Sequence, residues 1–189
     1  MNPDRTKSDQ LTRLLAELSY RKGVFRLASG KHSDFYVDVK QTVYRAAGAA
    51  LVGELICDVL AQHSIELVGG MALGAIPLVD AALNEAAHRG WPLDGFFVRK
   101  EVKEHGTGAK LDGRFNANKR IAILEDVVTT GESTLRAIDA VEQAGGRVDC
   151  VIVVVDREED DGLGNIARRC GNVLALASKT QIRRAARDS

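Results

Sequence analysis

Three features of the sequence predict an α/β fold built on a mostly parallel sheet. From about Ala46 onward, apolar segments of strand length alternate with segments of helical periodicity. Val148 to Val155 is an apolar run rich in β-branched residues, the pattern of a strand buried on both faces. Gly145-Gly146 separates a helical pattern from that run, as a helix stop should. At 189 residues the chain suits one medium-sized domain with a substantial core.

The elements follow in order. Leu11, Leu14, Leu15 and Leu18 recur at helical spacing, which predicts an opening amphipathic helix that stops at Gly23. Ser29-Gly30-Lys31-His32-Ser33 reads as a turn, and Phe35, Val37 and Val39 alternate with polar neighbours as in a half-buried strand. This piece, about residues 1–45, forms a small hood on an α/β core of about residues 46–189. In the core, Leu51, Val52, Leu55, Ile56 and Val59 mark a helix, and Ile65 to Val68 a short buried strand. Pro77 suits the first turn of a helix running towards His88. Phe96 to Val98 and Ile121 to Leu124 are strands, Ser133 to Ala144 a helix, and Val173 to Ala177 a last strand. In such sheets ligands bind at the carboxyl ends of the strands, so the loops there carry the search for function.

Composition narrows that search. Lys plus Arg and Asp plus Glu both number 26, which gives no global attraction to nucleic acid or anionic membrane. Cys57, Cys150 and Cys170 are widely spaced and form no zinc pattern, so buried free thiols in a reducing compartment are expected. His32, His63 and His88 lack partners at metal-ligand spacing. Met1 to Gln10 lacks the apolar core of a signal peptide. The longest uncharged run, Leu67 to Val79, is broken by Gly69, Gly70, Gly74 and Pro77 and is too short to span a membrane. A cytoplasmic protein is expected. No Walker A or GxGxxG pattern is present.

The segment Ile121-Ala-Ile-Leu-Glu-Asp-Val-Val-Thr-Thr-Gly-Glu-Ser-Thr134 carries most of the chemistry. Apolar residues lead into adjacent carboxylates, Glu125 and Asp126. A small turn follows, with the hydroxyls of Thr129, Thr130 and Ser133 at a helix N-terminus. Such a turn suits a phosphate. Carboxylates repel phosphate, so they should face something else, and ribose hydroxyls are good donors to them. Read by itself, the acidic pair also fits a strand–turn–helix with an acidic cap. A second segment, Phe97-Val-Arg-Lys-Glu-Val-Lys-Glu-His-Gly-Thr-Gly108, concentrates Arg99, Lys100, Lys103 and His105 after a strand. By itself a basic run is usually a solvated face. Its position at a strand end and its continuation through Gly106, Gly108 and Gly113 suit a mobile lid.

Together these strings resemble the type I phosphoribosyltransferase family. The first resembles its phosphoribosyl-diphosphate (PRPP) signature, with Glu125 where Asp is common. The pattern RKE-x-K-x-HG, complete over Arg99-Lys100-Glu101, Lys103 and His105-Gly106, resembles the orotate-using branch. The resemblance covers about Phe25 to Ala177. It implies the family fold, a mostly parallel central sheet flanked by helices with an N-terminal hood. It implies transfer of ribose 5-phosphate from PRPP to orotate, giving orotidine 5′-monophosphate and pyrophosphate, a step of pyrimidine synthesis. Alternatives are a phosphoribosyltransferase for another base and a non-catalytic PRPP-sensing regulator.

By the same resemblance, PRPP is bound by Arg99, Lys100, Lys103 and His105 and by Glu125, Asp126, Val127, Val128, Thr129, Thr130, Gly131, Glu132 and Ser133. Lys103 is the catalytic cation. Orotate is bound by Thr129, Phe35, Tyr36 and Arg157, the last holding the base's carboxylate through a guanidinium fork. Gly69 to Pro77 resembles the pyrophosphate loop. Magnesium (Mg2+) arrives chelated by PRPP, with no dedicated protein cage. The implied assembly is a homodimer whose lids complete each other's sites, with no nucleic-acid or membrane partner. Ala28 and Gly74 stand where many relatives carry lysines, so those two contacts do not carry over; Arg26 and Lys31 are the cations nearest the first of them.

Overall fold

The computed structural model describes residues 5–26, 32–100 and 110–188. The chain opens with α1 (Arg5–Leu14), whose Leu11 is buried one turn before the equally buried Leu15. A π-helical turn, Leu15–Ser19, leads into β1 (Tyr20–Arg26), which pairs antiparallel with β2 (His32–Val37). In β2, Phe35 and Val37 point inward while Asp34 and Tyr36 are exposed, the two-residue alternation of a half-buried strand. A short α2 (Lys40–Val43) closes the hood, tied back by a 2.6 Å hydrogen bond between the hydroxyls of Ser19 and Thr42.

The core follows as α3 (Ala46–Gln62), β3 (Leu67–Gly69), α4 (Ile76–His88), β4 (Asp94–Val98), β5 (Leu111–Gly113) and β6 (Ile121–Val128). It continues as α5 (Glu132–Gln143), β7 (Val148–Asp156), α6 (Gly162–Cys170), β8 (Val173–Ser178) and α7 (Lys179–Asp188). The sheet order is β5-β4-β3-β6-β7-β8, parallel throughout except for the β4–β5 pair. Its two faces are both covered. Ala122, Leu124, Ile152 and Val154 join the α3 and α4 side, where Leu55, Ile56 and Leu78 lie. Ile121, Ile123, Val151 and Val153 face Ile138 and Val141 of α5 and Ile166 of α6. Each Leu, Ile or Val among them stabilises the fold by about 1.5–3 kcal/mol on burial. That two-sided core holds the carboxyl ends of β6 and β7 rigid, and the candidate site stands on those ends.

The parallel core matches the sequence reading, and the periphery differs from it. Gly23 does not stop a helix; it lies inside β1, a strand the sequence reading lacks. Strand β2 begins at His32, so His32 and Ser33 are strand and not turn, while Ser29, Gly30 and Lys31 lie outside the described residues. Val39 is buried as expected but precedes α2 and is not in the strand. Strand β6 continues past Leu124 to Val128, so both carboxylates sit within it. Gly113 belongs to β5, not to a loop, and α6 and α7 are additional helices. Cys57 and Cys150 are buried free thiols, their pKa values pushed up by burial to about 11 and about 12; Cys170 is a half-buried free thiol.

Candidate active site

The site begins where β6 runs out. Glu125 is 4% exposed, and its Oε2 accepts a 2.9 Å hydrogen bond from Thr134 Oγ1 of α5. Burial, and next the neighbouring charge of Asp126, push the Glu125 carboxyl up to about 8. Burial thus favours the neutral form of this carboxyl, with Thr134 as its hydrogen-bond partner. Asp126 is half-buried, and its Oδ1 accepts from the Val127 N–H at 2.9 Å. The two acids are together, as adjacency predicts, but they differ in kind: Glu125 is buried and Asp126 is half-buried.

The turn after β6 is shaped for an anion. Gly131 takes φ +81°, a left-handed conformation that costs an L side chain about 1–2 kcal/mol. It is the N-cap of α5 and makes no side-chain cap bond of its own. The Thr130 hydroxyl accepts from the Glu132 N–H at 3.3 Å, and Asn165 of α6 donates to the Thr130 carbonyl at 2.9 Å, fixing the turn. A cavity of about 170 Å³ opens here, lined by Glu125 and residues 127–134. A helix N-terminus facing an open cavity favours a bound anion.

The pyrophosphate-loop candidate lies beside it. Met71 bridges to Val98, and the Ala72 N–H donates to the Val98 carbonyl at 2.9 Å, so the loop is laced to the end of β4. Gly74 approaches Asp126 so closely that a Cβ there would lie 2.7 Å from Asp126 Oδ1. Across the hood, Lys40 pairs with Asp38 at 2.8 Å, and its ammonium pKa is raised, first by that bond and to a lesser degree by the nearby charges of Asp126 and Tyr36.

Arg99 leaves β4 and forms an ion pair with Asp112 of β5, its guanidinium 5.6 Å from the centre of the Phe97 ring. The Arg99 N–H donates to the Lys110 carbonyl at 2.8 Å, closing the base of the β4–β5 hairpin. Lys100 is exposed next to it. Lys103 and His105, with Glu101, Gly106 and Gly108, lie outside the described residues, as does Ala28.

Pairing of Val128 with Asp156 sets Thr129 beside Arg157, whose N–H donates to the Val128 carbonyl at 3.0 Å. Arg157 is buried, and its Cζ lies 4.4 Å over the ring of the fully buried Phe35. Both Nε and Nη2 of Arg157 bond Glu159 Oε2 at 3.0 Å. Phe35 and Tyr36 are not equivalent: Tyr36 is on the exposed face of β2, 5.6 Å from the Phe25 ring. Thr134, Lys40, Asn165, Glu159 and Lys179 were not legible as site residues. Their signal lies in tertiary packing, except for Glu159, two residues from Arg157. Among the described residues, no group of three or more His, Cys, Asp or Glu could hold a metal ion.

Comparison with known proteins returns one enzyme repeatedly. No protein-family model matches the chain. The orotate phosphoribosyltransferase of Sorangium cellulosum is 43% identical over 157 residues, covering 82% of this chain and 82% of that one. The crystal structure of Mycobacterium tuberculosis orotate phosphoribosyltransferase in complex with Fe(III) dicitrate superposes with a TM-score of 0.80 at 32% identity. That match covers 93% of this chain and 98% of the other. The Mycobacterium tuberculosis enzyme in complex with 5-phospho-α-D-ribosyl 1-diphosphate (PRPP) matches with a TM-score of 0.76 at 26% identity, over 95% and 93% of the two chains.

Proposed function

The chain belongs to the orotate phosphoribosyltransferase family, and from that premise we propose how its residues divide the work. The reaction is transfer of ribose 5-phosphate from PRPP to orotate, giving orotidine 5′-monophosphate and pyrophosphate in pyrimidine synthesis. The chain acts as one domain of residues 1–189. The turn of Thr129, Thr130, Gly131, Glu132 and Ser133, with Val127 and Val128 leading in, holds the 5-phosphate. Asp126 accepts hydrogen bonds from the ribose hydroxyls, and neutral Glu125 orients Asp126 without adding a second charge beside a phosphate. Arg157 holds the orotate carboxylate, with Thr129 at the same strand ends. Phe35 acts through its stack beneath Arg157, and Tyr36 from the outer face of the hood.

Bond cleavage at the anomeric carbon builds positive charge on the ribose and negative charge on the departing pyrophosphate. No covalent nucleophile is needed. Positioning supplies the attack geometry, and cations placed at the leaving group stabilise the charge that develops. Arg99, Lys100, Lys103 and His105 provide those cations, with Lys103 foremost. Closure over the site excludes water from the ribose centre. Mg2+ carried in with PRPP would neutralise the diphosphate charge, and Asp126 is a described carboxylate that could face it. The working unit is a homodimer with shared lids, and the compartment is the cytoplasm.

One observation supports this division above the others: strand register sets the anion turn of β6 and the buried guanidinium of β7 side by side. A second reading, use of another base, leaves Arg157 only its pair with Glu159 and its place over Phe35. Mass spectrometry of products formed from PRPP with a panel of bases tests the assignment. Orotidine 5′-monophosphate should dominate; a purine nucleotide as main product would overturn the role given to Arg157.

A further inference from the structure

Arg157 does not stand alone at the end of β7. Glu159 bridges it to Lys179, the first residue of α7, whose Nζ is 3.3 Å from Glu159 Oε1. Lys179 also lies 5.2 Å from the centre of the Phe35 ring, the ring that Arg157 covers. Two cations thus share one aromatic ring and one carboxylate. Their places are fixed from behind. Glu158 Oε2 accepts from the Thr180 N–H at 2.8 Å and from the Thr180 hydroxyl at 2.6 Å, which pins the start of α7 to the strand end.

From this geometry we infer that Lys179 is a second recognition residue for the carboxylate of the base, acting with Arg157, and that Glu159 is a positioning residue holding the two cations together. The inference rests on the assignment of Arg157 to orotate. Its motive is charge. Arg157 bonded to Glu159 presents no net charge, a poor partner for an anionic base. Lys179 restores one positive charge over Phe35, the complement of one carboxylate. The surroundings make that cation more necessary. The field of Lys179 also reaches Asp34, Asp156 and Glu158, and of these Asp34 has its own partner in Arg183. Without Lys179 the strand end would repel an anion. Its ammonium is a compact charge on a flexible stem, able to leave Glu159 Oε1 for a ligand oxygen without disturbing the guanidinium.

The test uses the full-length enzyme and three variants: Lys179→Met, which keeps an apolar stem over Phe35, Lys179→Arg, and Arg157→Gln. The readouts are KM for orotate, KM for PRPP, and the inhibition constant of uracil, which lacks the carboxylate. Lys179→Met should raise the orotate KM roughly tenfold, the loss of one charge-assisted contact at a partly exposed site. The PRPP KM and the uracil constant should stay within about twofold of wild type, because neither ligand presents that carboxylate. Lys179→Arg should recover most of the orotate affinity. An unchanged orotate KM in Lys179→Met, with Arg157→Gln impaired, overturns the role of Lys179 alone. Equal losses for orotate and uracil make the Lys179–Glu159 pair structural and overturn it as well. If Arg157→Gln itself leaves the orotate KM unchanged, the assignment of Arg157 fails and this inference fails with it.

Discussion

Glu125 couples the site to folding through its proton. Its carboxyl rises from 4.5 to about 8 because burial, first, and the charge of Asp126, second, disfavour ionisation. Between those pH values the folded chain keeps a proton that the unfolded chain releases. Stability from this group is therefore full below about pH 4.5 and is lost as pH rises through about 8. Glu125→Gln keeps an acceptor for Thr134 and cannot ionise. Urea unfolding across the window should show wild type falling relative to the variant as pH rises; parallel curves would contradict the shift. Asp126 makes a different expectation. Asp126→Asn should raise the PRPP KM more than Glu125→Gln does, since in the proposed division of labour the half-buried acid meets the ribose and the buried one supports it. Gly74→Ala should act in the same direction, because its Cβ would come 2.7 Å from Asp126 Oδ1. Calorimetry should find its Tm almost unmoved while the PRPP KM rises, since the group displaced is the tip of one side chain. The sequence revealed both acids and Arg157, but not which acid holds the proton. That depends on Thr134, nine residues on, folding back over Glu125.

Elements with strong apolar patterns were legible, and those held by their neighbours were not. Strands β6 and β7 declare themselves by continuous burial, and α3 by its periodic aliphatic residues. In β1, Arg21, Lys22 and Gly23 carry no strand signal, and that strand exists through pairing with β2. Strand β5 is three residues long at a sheet edge. Helix α6 starts with Gly162 and carries Gly164, both poor helix formers, and among the described residues of α7 only Ile182 is in the buried core. The same dependence makes the β6–α5 turn sensitive. Gly131→Ala would place a side chain at φ +81° with its Cβ 2.9 Å from the Gly162 carbonyl oxygen. Left-handed strain alone costs about 1–2 kcal/mol. A lower unfolding midpoint together with a higher PRPP KM should result, because the strained residue is also the cap of the anion turn. Loss of one without the other would separate the turn's conformation from its ligand role.

At the scale of the whole molecule, the proposed lid exchange has a sharp consequence. Lys103→Ala should lower turnover by ~10²–10³, as removal of one preorganised charge at a leaving group does. Mixing those subunits with subunits carrying both Glu125→Gln and Asp126→Asn should partly restore activity. In a hybrid with exchanged lids, one site carries every defect and the other carries none. No recovery after subunit exchange, verified by mass spectrometry, would mean that each lid serves its own site. The β4–β5 hairpin adds something that concerns change over generations. The Arg99–Asp112 ion pair and the Arg99–Lys110 backbone bond join the chain on both sides of residues 101–109. What lies between them is spliced into a closed frame. Doubling the length of such an insert costs only about 0.6 kcal/mol in closure entropy. The frame anchors that segment on the sheet edge through Arg99, Lys110 and Asp112, so the leaving-group chemistry proposed for it can change while the parallel sheet keeps its register.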